Sequence, residues 1–167
     1  MAQLLGRDDD ALRLFTRAVK TAPENALAHA YYADFWRSQK SYYPAAHSIG
    51  RAIALDPELA VTRHFLGLLY YDLGLYQKAI RAFDLAISLD PGNAVVYKDR
   101  GKTHLQLDLY EESLRDLDQA IALNPGLFQA HVLRGQAHLA MDQFEAAITD
   151  LNEAIRLSPD LPEAFDL

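Results

Sequence analysis

The 167 residues predict an all-α solenoid of antiparallel helix pairs, and three observations carry that prediction. The first is a lattice of prolines: Pro23, Pro57, Pro91, Pro125 and Pro159 follow one another every 34 residues, with only Pro44 and Pro162 outside the series. The second is a set of small-residue columns in the same phase. These run Ala18, Ala52, Ala86, Ala120, Ala154; Ala11, Ala45, Ala79, Ser113, Ala147; and Ala33, Gly67, Gly101, Gly135. The third is helical periodicity inside each unit, where Ala79, Ile80, Phe83, Ala86 and Ile87 follow a three-and-four spacing that marks one face of a helix. Self-similarity at such a period is the signature of a repeat array.

The elements follow in order. Leu5-Gly6 aligns with Leu73-Gly74, so the chain is expected to open on the tail of a first helix. Residues 9–21 would then be a lone second helix, and residues 1–25 a partial repeat. Full repeats are expected at 26–59, 60–93, 94–127 and 128–161, with 162–167 starting a further helix. Each repeat reads as two helices joined by a turn such as Leu73-Gly74. Proline lacks the amide that a helix ladder needs, and it pushes the preceding residue out of the helical region. Second helices should therefore stop near Asp56, Asp90, Asn124 and Ser158. Asn25 and Asn93 stand where caps for the following first helices belong. The run Asp8, Asp9 and Asp10 suits a helix start, where exposed amides favour negative charge. Pro44 falls in a first turn, where proline is tolerated, and Gly50 lies inside a second helix at a cost of about 1 kcal/mol against alanine. Small columns let two backbones approach, while Phe15, Ile49, Phe83, Leu117 and Leu151 fill the space beside them.

Composition narrows the function. Half of the chain is apolar and 23% is charged, enough for a continuous core. No run approaches the roughly 20 apolar residues that span a bilayer, so no membrane insertion is expected. The start shows no signal peptide; the compartment is left open, with the cytoplasm favoured. Without cysteine there are no disulfides, thiolate nucleophiles or cysteine-based zinc sites. A net charge of −7 argues against nucleic acid as a partner, because such binding needs a basic surface.

The 34-residue period, the small-small-aromatic-proline order and stretches such as LGLLYYDLGLYQKAIRAFDLAISLDP closely resemble the tetratricopeptide repeat, over nearly the whole chain. The resemblance implies a right-handed superhelix, with first helices lining a concave groove and second helices on the convex back. Several positions depart from the family pattern: His29, Arg63 and His131 stand where it often has Trp, His104 and His138 where it favours Tyr or Leu, and Arg100 and Arg134 where it favours Leu. The third and fourth repeats are therefore expected to be looser or more polar than the second.

By the family pattern the groove would be lined by Leu27, Ala30, Asp34 and Arg37; by Val61, His64, Leu68 and Tyr71; by Val95, Lys98, Lys102 and Leu105; and by Gln129, Val132, Gln136 and Leu139. Of these, Asp34, Arg37, His64, Leu68, Tyr71, Lys98, Lys102, Leu105 and Gln136 are the candidate partner-binding residues. The first-helix stretches carry a net +3 and the remainder −10, so the groove should be mildly basic and the convex C-terminal half acidic. Such a wall suits a peptide with apolar anchors and some acidic residues. The lysine/asparagine clamp with which some family members hold a terminal carboxylate is missing, its places being taken by Ala30, Asp34, Phe65, Val95 and Asp99. The chain is thus expected to be a protein-interaction scaffold cut from a longer array. The alternative is a self-assembling platform that associates through edges at Phe15, Leu161 and Phe165, with Ala11, Leu14, Ala18 and Ile155 beside them.

Catalysis and cofactors find little support. His131 and His138 share one side of a helix, and His104 and His138 occupy equivalent places, which a metal could use; packing between helices accounts for them better. No phosphate-cradling loop, nucleophile elbow or zinc-protease motif appears. No cofactor, metal or enzymatic activity is expected.

Overall fold

A computed structural model describes residues 2–158, with side chains from Asp10 onward. Its described residues form nine helices: α1 (Ala2–Thr21), α2 (Ala26–Ser38), α3 (Tyr42–Leu55), α4 (Ala60–Asp72), α5 (Tyr76–Leu89), α6 (Ala94–Leu105), α7 (Tyr110–Leu123), α8 (Phe128–Ala140) and α9 (Phe144–Leu157). None is long and apolar enough to cross a membrane. They fall into two compact units, Met1–Leu75 with α1–α4 and Tyr76–Leu167 with α5–α9.

The expected boundaries appear where the chemistry put them. Asp56 and Asn124 end α3 and α7 in extended conformation just before their prolines. Asn25 accepts a hydrogen bond from the Ala28 amide at 3.0 Å, and Asn93 one from the Val95 amide at 3.2 Å. Each satisfies a first-turn donor of its helix. One boundary differs. α1 is continuous from Ala2, so the turn expected at Leu5-Gly6 does not form. At Gly74 the backbone turns at φ 70°, a conformation that glycine adopts without steric cost. Around Gly6 the local preference of Ala, Gln, Leu and Arg for helix decides instead, against a glycine cost of about 1 kcal/mol.

The turns within repeats share one geometry. Lys40, Gly74, Asp108 and Asp142, again 34 apart, all take positive φ, from 56° to 70°. At the first of them the Lys40 amide donates to Arg37 O and the Ser41 amide to Trp36 O, at 2.8 and 2.9 Å. This pair of bonds is a Schellman motif, which satisfies carbonyls left open at the helix end.

In the N-terminal unit Ala33, Ala45, Ile49 and Leu69 are buried together, flanked by Trp36, Tyr42, Ile53 and Leu66. Ala30, Ala52 and Phe65 form a second cluster beside Val61 and Leu68. In the C-terminal unit Leu117, Ala120 and Ala130 meet Tyr97, Ile121, Leu127 and Leu133. The small column is required there: a Cβ on Gly101 would lie 2.9 Å from Leu117 Cγ, and one on Gly135 would lie 3.1 Å from Leu151 Cγ. A larger side chain would overpack the hairpin, at roughly 1–3 kcal/mol.

Candidate first-helix binding surface

In each unit consecutive first helices lie side by side, α2 against α4 and α6 against α8. On the first wall Leu27 and Tyr31, one turn apart, are exposed, and the Tyr31 ring meets Phe65 edge-on at 5.5 Å. Leu68 and Tyr71 are half-buried. Asp34 and Arg37 are engaged within the chain. The Arg37 guanidinium donates to Asp34 at 2.9 Å and to Asp72, at the end of α4, at 2.7 Å. Burial opposes the arginine's charge, but hydrogen bonds with Asp72 and Asp34 outweigh it and raise its pKa. The pair therefore ties α2 to α4. The family pattern places His64 in the groove; it is buried instead, its ring stacked on Phe65 at 5.7 Å. An imidazole on an aromatic neighbour gains apolar contact that water would not provide.

On the second wall Val95, Lys102, Gln129 and Gln136 are exposed, while Leu105, Val132 and Leu139 are half-buried. Lys98 is half-buried and ion-paired with Asp99 at 2.8 Å. Lys98 and Lys102 do share one face of α6, as their spacing predicts. Tyr31 is not among the groove positions expected from the sequence; its exposure reveals it.

The polar character expected of the third and fourth repeats takes a specific form. Arg100 of α6 donates to Asp116 of α7 at 2.5 and 2.9 Å and to Asp84 of α5 at 2.6 Å. Arg134 of α8 repeats this with Asp150 of α9 at 2.6 and 2.9 Å and Asp118 of α7 at 2.7 Å. Each arginine thus fastens three helices. His104 Nδ1 lies 3.1 Å from Asp116, and His131 and His138 both approach Asp150, at 3.4 and 3.7 Å. Burial alone would raise the Asp116 pKa, but the His104 ring and the Arg100 guanidinium hold it below the usual carboxylate range. At Arg134 the hydrogen bond with Asp150 raises the pKa most. No group of three or more His, Asp or Glu side chains converges as a metal cage among the described residues. Leu161 and Phe165 lie outside them, as do residues 162–167. Phe15 is not an open edge: it packs against Tyr32 and Phe35, at 6.3 and 5.5 Å. Ring stacking draws it inward and leaves Leu14 exposed at 67%.

Tetratricopeptide repeat models match residues 5–60 and 98–162, and a further one matches 60–93. The chain belongs to the tetratricopeptide repeat family. No curated protein matches it significantly. Among solved structures it resembles TTC0263, a thermophilic protein of this family from Thermus thermophilus, at 23% identity and TM-score 0.82, covering 95% of this chain and 87% of that one. It resembles MamA at 20% identity and TM-score 0.76, covering 94% and 92%. It also resembles the first tetratricopeptide domain of Spaghetti (RPAP3) bound to the HSP90 peptide SRMEEVD, at 28% identity and TM-score 0.62, covering 65% and 86%. The fold is thus the all-α helix-pair solenoid of that family, an architecture that serves as a protein-interaction scaffold.

Proposed function

We propose that this chain binds a segment of a partner protein on its first-helix walls and performs no catalysis of its own. The observation that carries this reading is the second wall, where the aliphatic Val95, the amides of Gln129 and Gln136 and the exposed Lys102 are presented by adjacent helices, with Lys98 one turn away in its ion pair with Asp99. Aliphatic side chains offer anchoring sites, amides pair with peptide backbone, and lysines favour acidic residues. The partner is therefore a peptide with apolar anchors and acidic side chains. Capture of a free carboxylate tail is disfavoured. At the clamp positions Ala30 and Phe65 are buried, and Asp34 and Asp99 are carboxylates already paired with Arg37 and Lys98. The test compares wild type with the Lys98→Glu, Lys102→Glu double variant. Affinity for the native partner should fall at least about tenfold, one decade per 1.4 kcal/mol, and the wild-type interaction should weaken with salt. Unchanged affinity would remove these lysines from the mechanism.

A second reading, self-assembly, is favoured by the exposed apolar residues at the two ends of the helix series, Leu14 on α1 and Phe144, Ile148 and Ile155 on α9.

A further inference from the structure

α9 carries an apolar stripe that its counterparts do not leave open. Phe144, Ile148 and Ile155 are 53%, 59% and 46% exposed. The same columns are half-buried in α7 (Tyr110, Leu114, Ile121) and in α5 (Tyr76, Ile80, Ile87). Half-buried Leu151 lies within the stripe and completes a spacing of four, three and four residues. At about 3.6 residues per turn these four side chains form one narrow band.

That spacing reads the same from either end of the helix. Two copies of α9 laid antiparallel would set Phe144 against Ile155 of the other copy, and Ile148 against its Leu151. The polar flank has the same symmetry. Glu145 near the start and Arg156 near the end lie on one side of the stripe, and both are exposed. In an antiparallel helix pair like flanks meet, so each Glu145 faces the Arg156 of the other copy. Within one chain Arg156 pairs with Glu153, three residues back, at 2.6 Å. A surface pair of this kind contributes little and exchanges readily.

We infer that α9 is a homodimer interface, in which a second copy docks α9 antiparallel on α9 about a two-fold axis near residue 150. The inference rests on the self-assembly reading and specifies it: a two-fold contact closes on itself, whereas end-to-end stacking would grow. A single helix pair falls at or below the low end of the roughly 1,200–2,000 Å² that stable interfaces bury, so the dimer should dissociate readily on dilution.

Sedimentation equilibrium of the full chain should show a monomer–dimer equilibrium and nothing larger. Ile148→Asp places a carboxylate at the centre of the pair, at a position open to water in the single chain. Helix content should hold while the dimer Kd rises about a hundredfold or more, as for a central anchor. Glu145→Arg should weaken the dimer, and Glu145→Arg with Arg156→Glu should restore most of it. The chain has no cysteine, so single cysteines report the geometry. In the antiparallel pair the two copies of residue 148 are about 10 Å apart, and those of residue 144 are separated by about 16 Å along the helix alone. A short bifunctional thiol reagent should therefore link Ile148→Cys but not Phe144→Cys. A chain that stays monomeric at every concentration would overturn both this interface and the self-assembly reading. Association that ignores Ile148→Asp, growth to larger species, or linkage through Phe144→Cys would overturn the α9 pairing alone.

Discussion

Ser113 stands in a column otherwise filled by alanine (Ala11, Ala45, Ala79, Ala147), is fully buried, and finds no hydrogen-bond partner for its hydroxyl. A buried, unpaired hydroxyl costs about 1–3 kcal/mol of desolvation, and alanine fits the same space. Ser113→Ala should therefore raise stability by about 1 kcal/mol, read as a higher urea midpoint at unchanged slope. Three other side chains show what one-residue departures from a family pattern can mean. His29 lies 2.9 Å from Pro23 O, Arg63 3.2 Å from Pro57 O and His131 3.3 Å from Pro125 O. Each carbonyl accepts from a side chain six residues on, so the columns where Trp is usual secure the loops instead. The departure is visible in the sequence; its purpose depends on loop geometry that periodicity does not encode. The left-handed turn residues divide similarly. Gly74 announces its turn, whereas Lys40, Asp108 and Asp142 adopt the same conformation without that signal, because the Schellman bonds around them outweigh the side-chain preference.

At the scale of helices, Arg100 and Arg134 replace apolar packing with ionic fastening. The columns of Arg100 and Asp116 hold Leu66 and Ala82 one repeat earlier, so an uncharged solution already exists within this chain. Removing one member of a buried pair strands the other's charge, at roughly 3–5 kcal/mol, while replacing both by apolar groups is often neutral or better. Asp116→Ala leaves Arg100 with only the exposed Asp84, so it should destabilise the C-terminal unit by about 1–3 kcal/mol, and adding Arg100→Leu should recover most of that in denaturant titrations. A double variant no more stable than Asp116→Ala would show that the network supplies more than charge balance. Helix order and most boundaries are legible, because prolines, caps and small columns act locally. The extension of α1 is not, since alignment with Leu73-Gly74 assumes packing that a turn needs. Nor is the engagement of Arg37 with Asp72, which is 35 residues away and meets it only once helices pair.

Across the whole molecule the two units rely on different forces. The N-terminal unit buries alanines, leucine, isoleucine and aromatic rings, whereas the C-terminal unit also buries Asp99, Asp116 and Asp150. Asp116 has its pKa depressed in the folded state, so its contribution is present above the ordinary carboxylate pKa of about 4 and is lost as pH falls through the folded value. Hydrogen exchange at progressively lower pH should therefore show α6 and α7 losing protection before α2 and α3. Equal loss in both units would argue against an ionic origin. Charge counting foresees a mildly basic groove, but pairing consumes much of that charge: Lys98 is held by Asp99 and Arg100 by two carboxylates. Net charge over a stretch of sequence does not say which cations remain available to a ligand.

Asp116 and Asp118 sit two residues apart on α7, and each serves a different arginine, one on the helix before and one on the helix after. The third and fourth repeats are consequently not interchangeable modules. A graft that imports either of them singly beside an apolar neighbour leaves a guanidinium or a carboxylate without its counterpart, so recombination, natural or designed, should move this pair as one block.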